Sequence, residues 1–213
     1  MQDHCSIGIC ISASLTTMHC TDFFHAGGQH PLRGLSLAYL RLKGWTVEGS
    51  LPANAEKCVP IAAPHTSNWD LPYTLMVAFV LRLEVYWIGK QSIFKPPFKH
   101  TMQWLGGIPV NREQSNNLVA ASAQAIKDAD GMLQLVVPPE GTRSNARYWK
   151  TGFYYIALGA QVPIVMAFLD YTHKRSGLGP LLHPSGDIDK DMLEVKAFYA
   201  QFEGKTNAQL KAK

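Results

Sequence analysis

The sequence predicts one α/β domain, a mixed sheet flanked by helices, and three observations lead there. From residue 31 onward, short apolar runs alternate with stretches of helical period, the pattern of strands and helices taken in turn. The run at 132–137 is almost continuously apolar, as a strand covered on both faces must be. A chain of 213 residues, 46% apolar and 17% charged, is long enough to bury one real core and too short for two comfortable ones.

Residues 1–30 follow neither period and end in the turn-like run Ala26-Gly27-Gly28, so they are expected to be a disordered or non-native leader. The domain is expected to span 31–204, with 205–213 as a polar tail. Residues 32–45 read as a basic amphipathic helix, with leucines and Tyr39 separated by Arg33, Arg41 and Lys43. Such a helix packs on its own core or lies on a membrane. Strands follow at 46–48 and 59–63, a helix at 71–82 and a strand at 85–88. Then come a helix at 98–105, an extended run at 108–111, a helix at 118–129 and the buried strand at 132–137. A helix at 148–158, a strand at 163–170 and a closing amphipathic helix at 190–202 complete the series.

Composition narrows the function. A net charge of +4 and a pI near 8.8 fall short of the Lys/Arg loading of a nucleic-acid binder and suit a phosphate-bearing or anionic-membrane partner. No stretch reaches the roughly 20 apolar residues of a membrane span, since the best candidate is broken by Pro72 and Arg82. The opening segment carries Asp3 where a secretory signal has a basic start, so cytoplasmic residence is expected. Cys5, Cys10, Cys20 and Cys58 form no Cys-x-x-Cys pair and match no zinc spacing, which argues against a disulfide framework and a metal centre.

Chemistry concentrates in three places. His65-Thr66-Ser67-Asn68-Trp69-Asp70 lies between a predicted strand and a predicted helix. If the intervening residues turn, the Asp70 carboxylate can hold one nitrogen of His65 protonated and leave the other as a base. The competing structural reading is a helix start, because Ser67 and Asp70 have the Ser-x-x-Asp spacing of a capping box. Gly106 to Arg112 forms a glycine turn, an extended run and an arginine suited either to a phosphate or to a surface ion pair with Glu113. Glu140-Gly141-Thr142-Arg143 crowds an acid, a glycine, a hydroxyl and a guanidinium into one connection, an arrangement able to cradle an anion, although a plain turn with a Glu/Arg pair also fits. Lys150 adds a cation near a helix start, where anions are favoured, or simply faces solvent. No Gly-x-Ser-x-Gly elbow and no activated cysteine supplies a nucleophile.

His65 to Asp70 resembles the His-x4-Asp motif of the 1-acylglycerol-3-phosphate acyltransferase family, and 106–112, 139–144 and 162–165 resemble its other three blocks in order. The similarity runs over about 31–202 and is nearest the short bacterial branch without membrane spans. It implies a glycerol-3-phosphate acyltransferase-like fold, with His65 as general base and Asp70 as its orienting carboxylate. Arg112, Glu140, Gly141, Thr142, Arg143 and Lys150 would surround the acceptor phosphate, and 162–165 would line the acyl region. The implied partners are a lysophospholipid acceptor, an acyl-CoA or acyl carrier protein thioester as co-substrate, and the inner face of the cytoplasmic membrane as a peripheral contact. No metal or other cofactor and no nucleic acid are expected. Asn111 replaces a frequent acid before the arginine, and Pro138 an aromatic or small residue, and both positions bear on acceptor identity. A different lysolipid or glycolipid acceptor, hydrolysis of the thioester, and a non-catalytic lipid-binding module stay open.

Overall fold

The computed structural model describes residues 31–110, 117–140 and 149–202. The expected leader, the polar tail, Arg112, Gly141, Thr142 and Arg143 lie outside them. In order, the elements are α1 (Pro31–Leu42), β1 (Thr46–Glu48), β2 (Lys57–Ala63), α2 (Asp70–Leu81), β3 (Val85–Lys90), α3 (Lys99–Trp104) and β4 (Gly107–Val110). Then follow α4 (Leu118–Asp128), β5 (Leu133–Val136), α5 (Gly152–Ala160), β6 (Ile164–Asp170), β7 (Arg175–Leu182) and α6 (Ile188–Tyr199).

The strands form one seven-stranded sheet in the order β1-β7-β6-β2-β5-β3-β4. Strands β6, β2, β5, β3 and β4 are mutually parallel, whereas β7 runs antiparallel to β6 and carries β1 parallel beside it, so the sheet is mixed as expected. Alternation along β2 shows why both faces need cover. Val59, Ile61 and Ala63 enter the core formed with α4, α5 and α6, while Cys58 and Ala62 enter the core beneath α2. A strand buried on both sides is apolar throughout, and its helices supply the amphipathic faces that shield it.

Strand β7 is absent from the sequence-based series. Its sequence, Arg-Ser-Gly-Leu-Gly-Pro-Leu-Leu, carries two glycines and a proline that disguise the pattern. Its pairing with β6 and β1 overrides weak propensity. Gly177 belongs there because β1 approaches so closely that a side chain would run into the Glu48 carbonyl.

Helix α1 packs on α2 and runs antiparallel to it: Arg33 Nε donates to the Val80 carbonyl at 3.2 Å, and Trp45, just past the end of α1, meets Tyr73 with ring centroids 4.6 Å apart. Ser36 and Leu40 are buried in this contact. Leu35, Tyr39 and Leu42, spaced at i, i+4 and i+7, form a second apolar stripe that faces outward. The helix therefore packs on the core with one stripe and leaves another uncovered.

Tyr199, the last residue of α6, is buried with its hydroxyl 2.6 Å from the Ile61 carbonyl and 2.8 Å from that of Ala167. One O–H thus ties β2 to β6 just before the two strands release their carboxyl-terminal loops. Tyr199→Phe keeps the ring and leaves the carbonyls without this donor, so it is expected to cost about 1–3 kcal/mol. Urea denaturation would detect this as a lower midpoint at unchanged slope, and an unchanged midpoint would remove the hydroxyl from the account.

Candidate active site

Because β6, β2 and β5 are adjacent and parallel, their carboxyl ends release three loops side by side, the edge where open α/β sheets place reactive groups. The loop after β2 brings His65. The chain after β5, paired with β2 through Ile61 and Val137, brings Glu140. Immediately after β6 comes Tyr171.

His65 Nδ1 lies 3.1 Å from Asp70 Oδ2, with the imidazole 19% exposed and the carboxylate 3% exposed. Asp70 Oδ2 also accepts the backbone N–H groups of Thr66 at 2.7 Å and Ser67 at 2.8 Å. Its other oxygen, Oδ1, accepts the Tyr171 hydroxyl at 2.7 Å. The geometry therefore matches the dyad and not the capping box, since α2 starts at Asp70 without a side-chain cap. As the first residue of α2, Asp70 reaches back to satisfy the turn before it, and the same atom faces the histidine. Ser67 does not cap with its side chain in return: the Asp70 N–H goes to the Ser67 carbonyl at 3.3 Å, and Ser67 Oγ accepts from Trp69 N at 3.2 Å. With Nδ1 turned toward the acid, Nε2 is the nitrogen left to act as a base.

Glu140 is buried, and its Oε1 accepts the backbone N–H of His65 at 3.0 Å. It holds the loop from the side opposite Tyr171. Lys150 is brought to the same motif through its backbone N–H, 2.7 Å from the Pro139 carbonyl, while its side chain is exposed. Residues 162–165 sit at the other end of β6, about 20 Å of strand from Tyr171, with Ile164 and Val165 buried in the two cores. Tyr171 is a site residue that the sequence reading missed. An isolated tyrosine at a strand end carries no pattern, and only its position after a buried strand ending in Asp170 hinted at a role.

A cavity of about 30 Å³ lies between α2 and the sheet, lined by Ala62, Val77, Ala78, Val136 and Leu178 among others. That is room for about one water, too little for an acyl chain without repacking. Cys58 is no rival nucleophile, since burial pushes its thiol up to about 12.

The two acids of the site respond oppositely to pH. Burial alone raises the Asp70 carboxyl, but hydrogen bonds from His65, Ser67 and Tyr171 outweigh it and hold the group below its ordinary value. For Glu140, burial prevails over the His65 N–H, and repulsion from Asp70 adds to it, so this carboxyl is raised. The stability that Asp70 contributes is present above the ordinary carboxylate range and lost as pH falls through its depressed value. Glu140 contributes below that range and loses its contribution as pH rises through its raised value. Glu140→Gln keeps an oxygen for the His65 N–H and removes the charge. Its stability is therefore expected to fall less than that of the native chain as pH rises above the ordinary carboxylate range, as read from urea midpoints, and a native-like slope would contradict this.

An Acyltransferase family profile matches residues 45–168, more than half of the chain. The 1-acyl-sn-glycerol-3-phosphate acyltransferase of Salmonella typhimurium is 28% identical over 182 residues, covering 81% of this chain and 68% of its own. The enzyme of that name from Escherichia coli is 26% identical with the same coverage. Among solved structures, the 1-acyl-sn-glycerophosphate (LPA) acyltransferase PlsC of Thermotoga maritima shares the fold, with a TM-score of 0.56, 16% identity and coverage of 83% of this chain and 81% of that one. The profile match over more than half of the chain, a segment that contains both His65 and Asp70 at the carboxyl edge of the sheet, makes this chain a member of the acyltransferase family.

Proposed function

We propose that the chain transfers a fatty acyl group from an acyl-CoA or acyl carrier protein thioester to the free hydroxyl of a lysophospholipid such as 1-acylglycerol 3-phosphate. The observation that carries the reading is the His65–Asp70 pair, with Nδ1 held at 3.1 Å by a carboxylate that is itself fully engaged. The names of the relatives supply the substrate class.

In this mechanism the acceptor hydroxyl meets His65 Nε2 and gives up its proton as its oxygen attacks the thioester carbonyl. Asp70 stabilises the imidazolium that forms. The tetrahedral intermediate collapses with cleavage of the C–S bond, and the departing thiolate takes the proton back from the imidazolium. Nucleophile, base and leaving group balance without an acyl-enzyme. Arg112, Gly141, Thr142, Arg143 and Lys150 surround the acceptor phosphate in this reading, in keeping with the anion preference of guanidinium and backbone N–H groups. Glu140 acts as a positioning residue, because a carboxylate offers a phosphate no donor. Tyr171 positions Asp70.

The enzyme sits on the inner face of the cytoplasmic membrane. No helix among the described residues is long and apolar enough to cross it. Helix α1 provides peripheral contact through the outward stripe of Leu35, Tyr39 and Leu42, flanked by Arg41 and Lys43. Replacing Leu35 and Leu42, exposed by 66% and 83%, with serine is expected to weaken vesicle binding without loss of fold. Co-sedimentation equal to that of the native chain would sink the α1 contact.

Thiol release from an acyl-CoA series, with and without lysophosphatidic acid, tests the chemistry. His65→Ala should lower acceptor-dependent release by about two to four decades. Tyr171→Phe, which keeps the ring against Trp45 and Tyr73, should lower kcat about tenfold with KM little changed, the scale of one hydrogen bond to a charged group. Release without acceptor would indicate hydrolysis, and full activity of His65→Ala would refute the base.

A further inference from the structure

The connection from β3 to α3 leaves the sheet at its carboxyl edge, the edge that presents His65. Every residue from Lys90 to His100 is exposed except Phe94. Phe94 anchors the segment: it is buried, stacks on Trp87 with centroids 5.6 Å apart, and lies close against Gly89 and Gly107. The turn is stiffened by N–H bonds from Phe94 to the Gln91 carbonyl at 3.1 Å, from Phe98 to Lys95 at 3.0 Å and from Met102 to Phe98 at 2.9 Å. A fixed scaffold therefore holds Ile93 and Phe98, the latter 62% exposed, among Lys90, Lys95 and Lys99. No acid occurs between Lys90 and Trp104.

An uncovered aromatic ring in a segment that carries three lysines and no acid from residue 90 to residue 104 is complementary to one kind of surface, an anionic bilayer whose acyl region takes the ring and whose headgroups take the lysines. Trp69, on the His65 loop, is also exposed. From these observations we infer that the β3–α3 connection is a membrane-docking surface for anionic lipid, distinct from α1, and that it turns the carboxyl edge of the sheet toward the bilayer. The inference rests on the reading of the chain as an enzyme of membrane lipids, whose acceptor resides in the bilayer. An acidic carrier protein would also be drawn to the lysines. The bilayer is favoured because α1 presents a second outward apolar stripe with its own basic residues, and two such patches suit a broad surface better than one small partner.

The test uses the full chain with vesicles of phosphatidylcholine alone or with phosphatidylglycerol added. The native chain is expected to sediment at least tenfold more strongly with the anionic vesicles, as an order of magnitude from the lysine contribution near such a surface. Lys95→Glu combined with Lys99→Glu should abolish that preference, and Phe98→Ser should weaken binding to both compositions. Both variants should transfer acyl groups normally to a short-chain acceptor dissolved as monomer. Vesicle binding unchanged in both variants would overturn the inference. So would unchanged binding accompanied by slower transfer from an acyl carrier protein donor alone, which would make the patch a protein-docking site. Loss of the preference in the charge-reversal variant supports the inference even if the native chain transfers no acyl group, an outcome that would overturn the acyltransferase reading by itself.

Discussion

A carboxylate removed from water keeps its charge only if its lone pairs are filled, and the architecture of the site follows from how Asp70 meets that condition. Two N–H groups from its own loop and the His65 ring occupy one oxygen, and a tyrosine hydroxyl from the end of β6 occupies the other. With both oxygens engaged the carboxylate cannot rotate freely, so the nitrogen of His65 that it faces, and the one it leaves available, are both determined. The first turn of α2 adds a favourable field for a negative charge at that position.

Glu140 complements this arrangement from the other side of the loop. It is a second buried acid within reach of the same histidine, held by the His65 backbone N–H rather than by the ring. The environments push the two carboxyls in opposite directions, one lowered by its donors and one raised by burial and by its neighbour. This division separates the acid that contacts the imidazole from the acid that accepts the backbone N–H beneath it. Sheet order makes the division possible, since β2 lies between β6 and β5 and receives one supporting residue from each.

The same sheet order relates chemistry to surroundings. Helix α1 runs antiparallel to α2, so its basic end lies by the aromatic cluster of Trp45, Tyr73 and Tyr171 that adjoins Asp70. At the other side of β2, the β3–α3 connection leaves the sheet at the same edge.

The sequence by itself determined the α/β alternation and the His65–Asp70 spacing, because each depends on short-range signals: hydrophobic period, a strand-to-helix turn and two residues five apart. It left the dyad and capping-box readings of that motif open, and the geometry chose: α2 has no side-chain cap, whereas Asp70 Oδ2 lies 3.1 Å from His65 Nδ1. Tertiary structure alone decided that Tyr171 completes the carboxylate across 101 positions of chain and that Glu140 supports the histidine loop across 75. It likewise decided that Arg175–Leu182 is a strand and that α1 keeps one apolar stripe uncovered. The physical reason is the same in each case. Periodicity reports what a segment does along its own axis, whereas the partner of a buried hydroxyl, a glycine-broken strand or a helix face is set by which elements lie side by side, and that order is a property of the packed sheet.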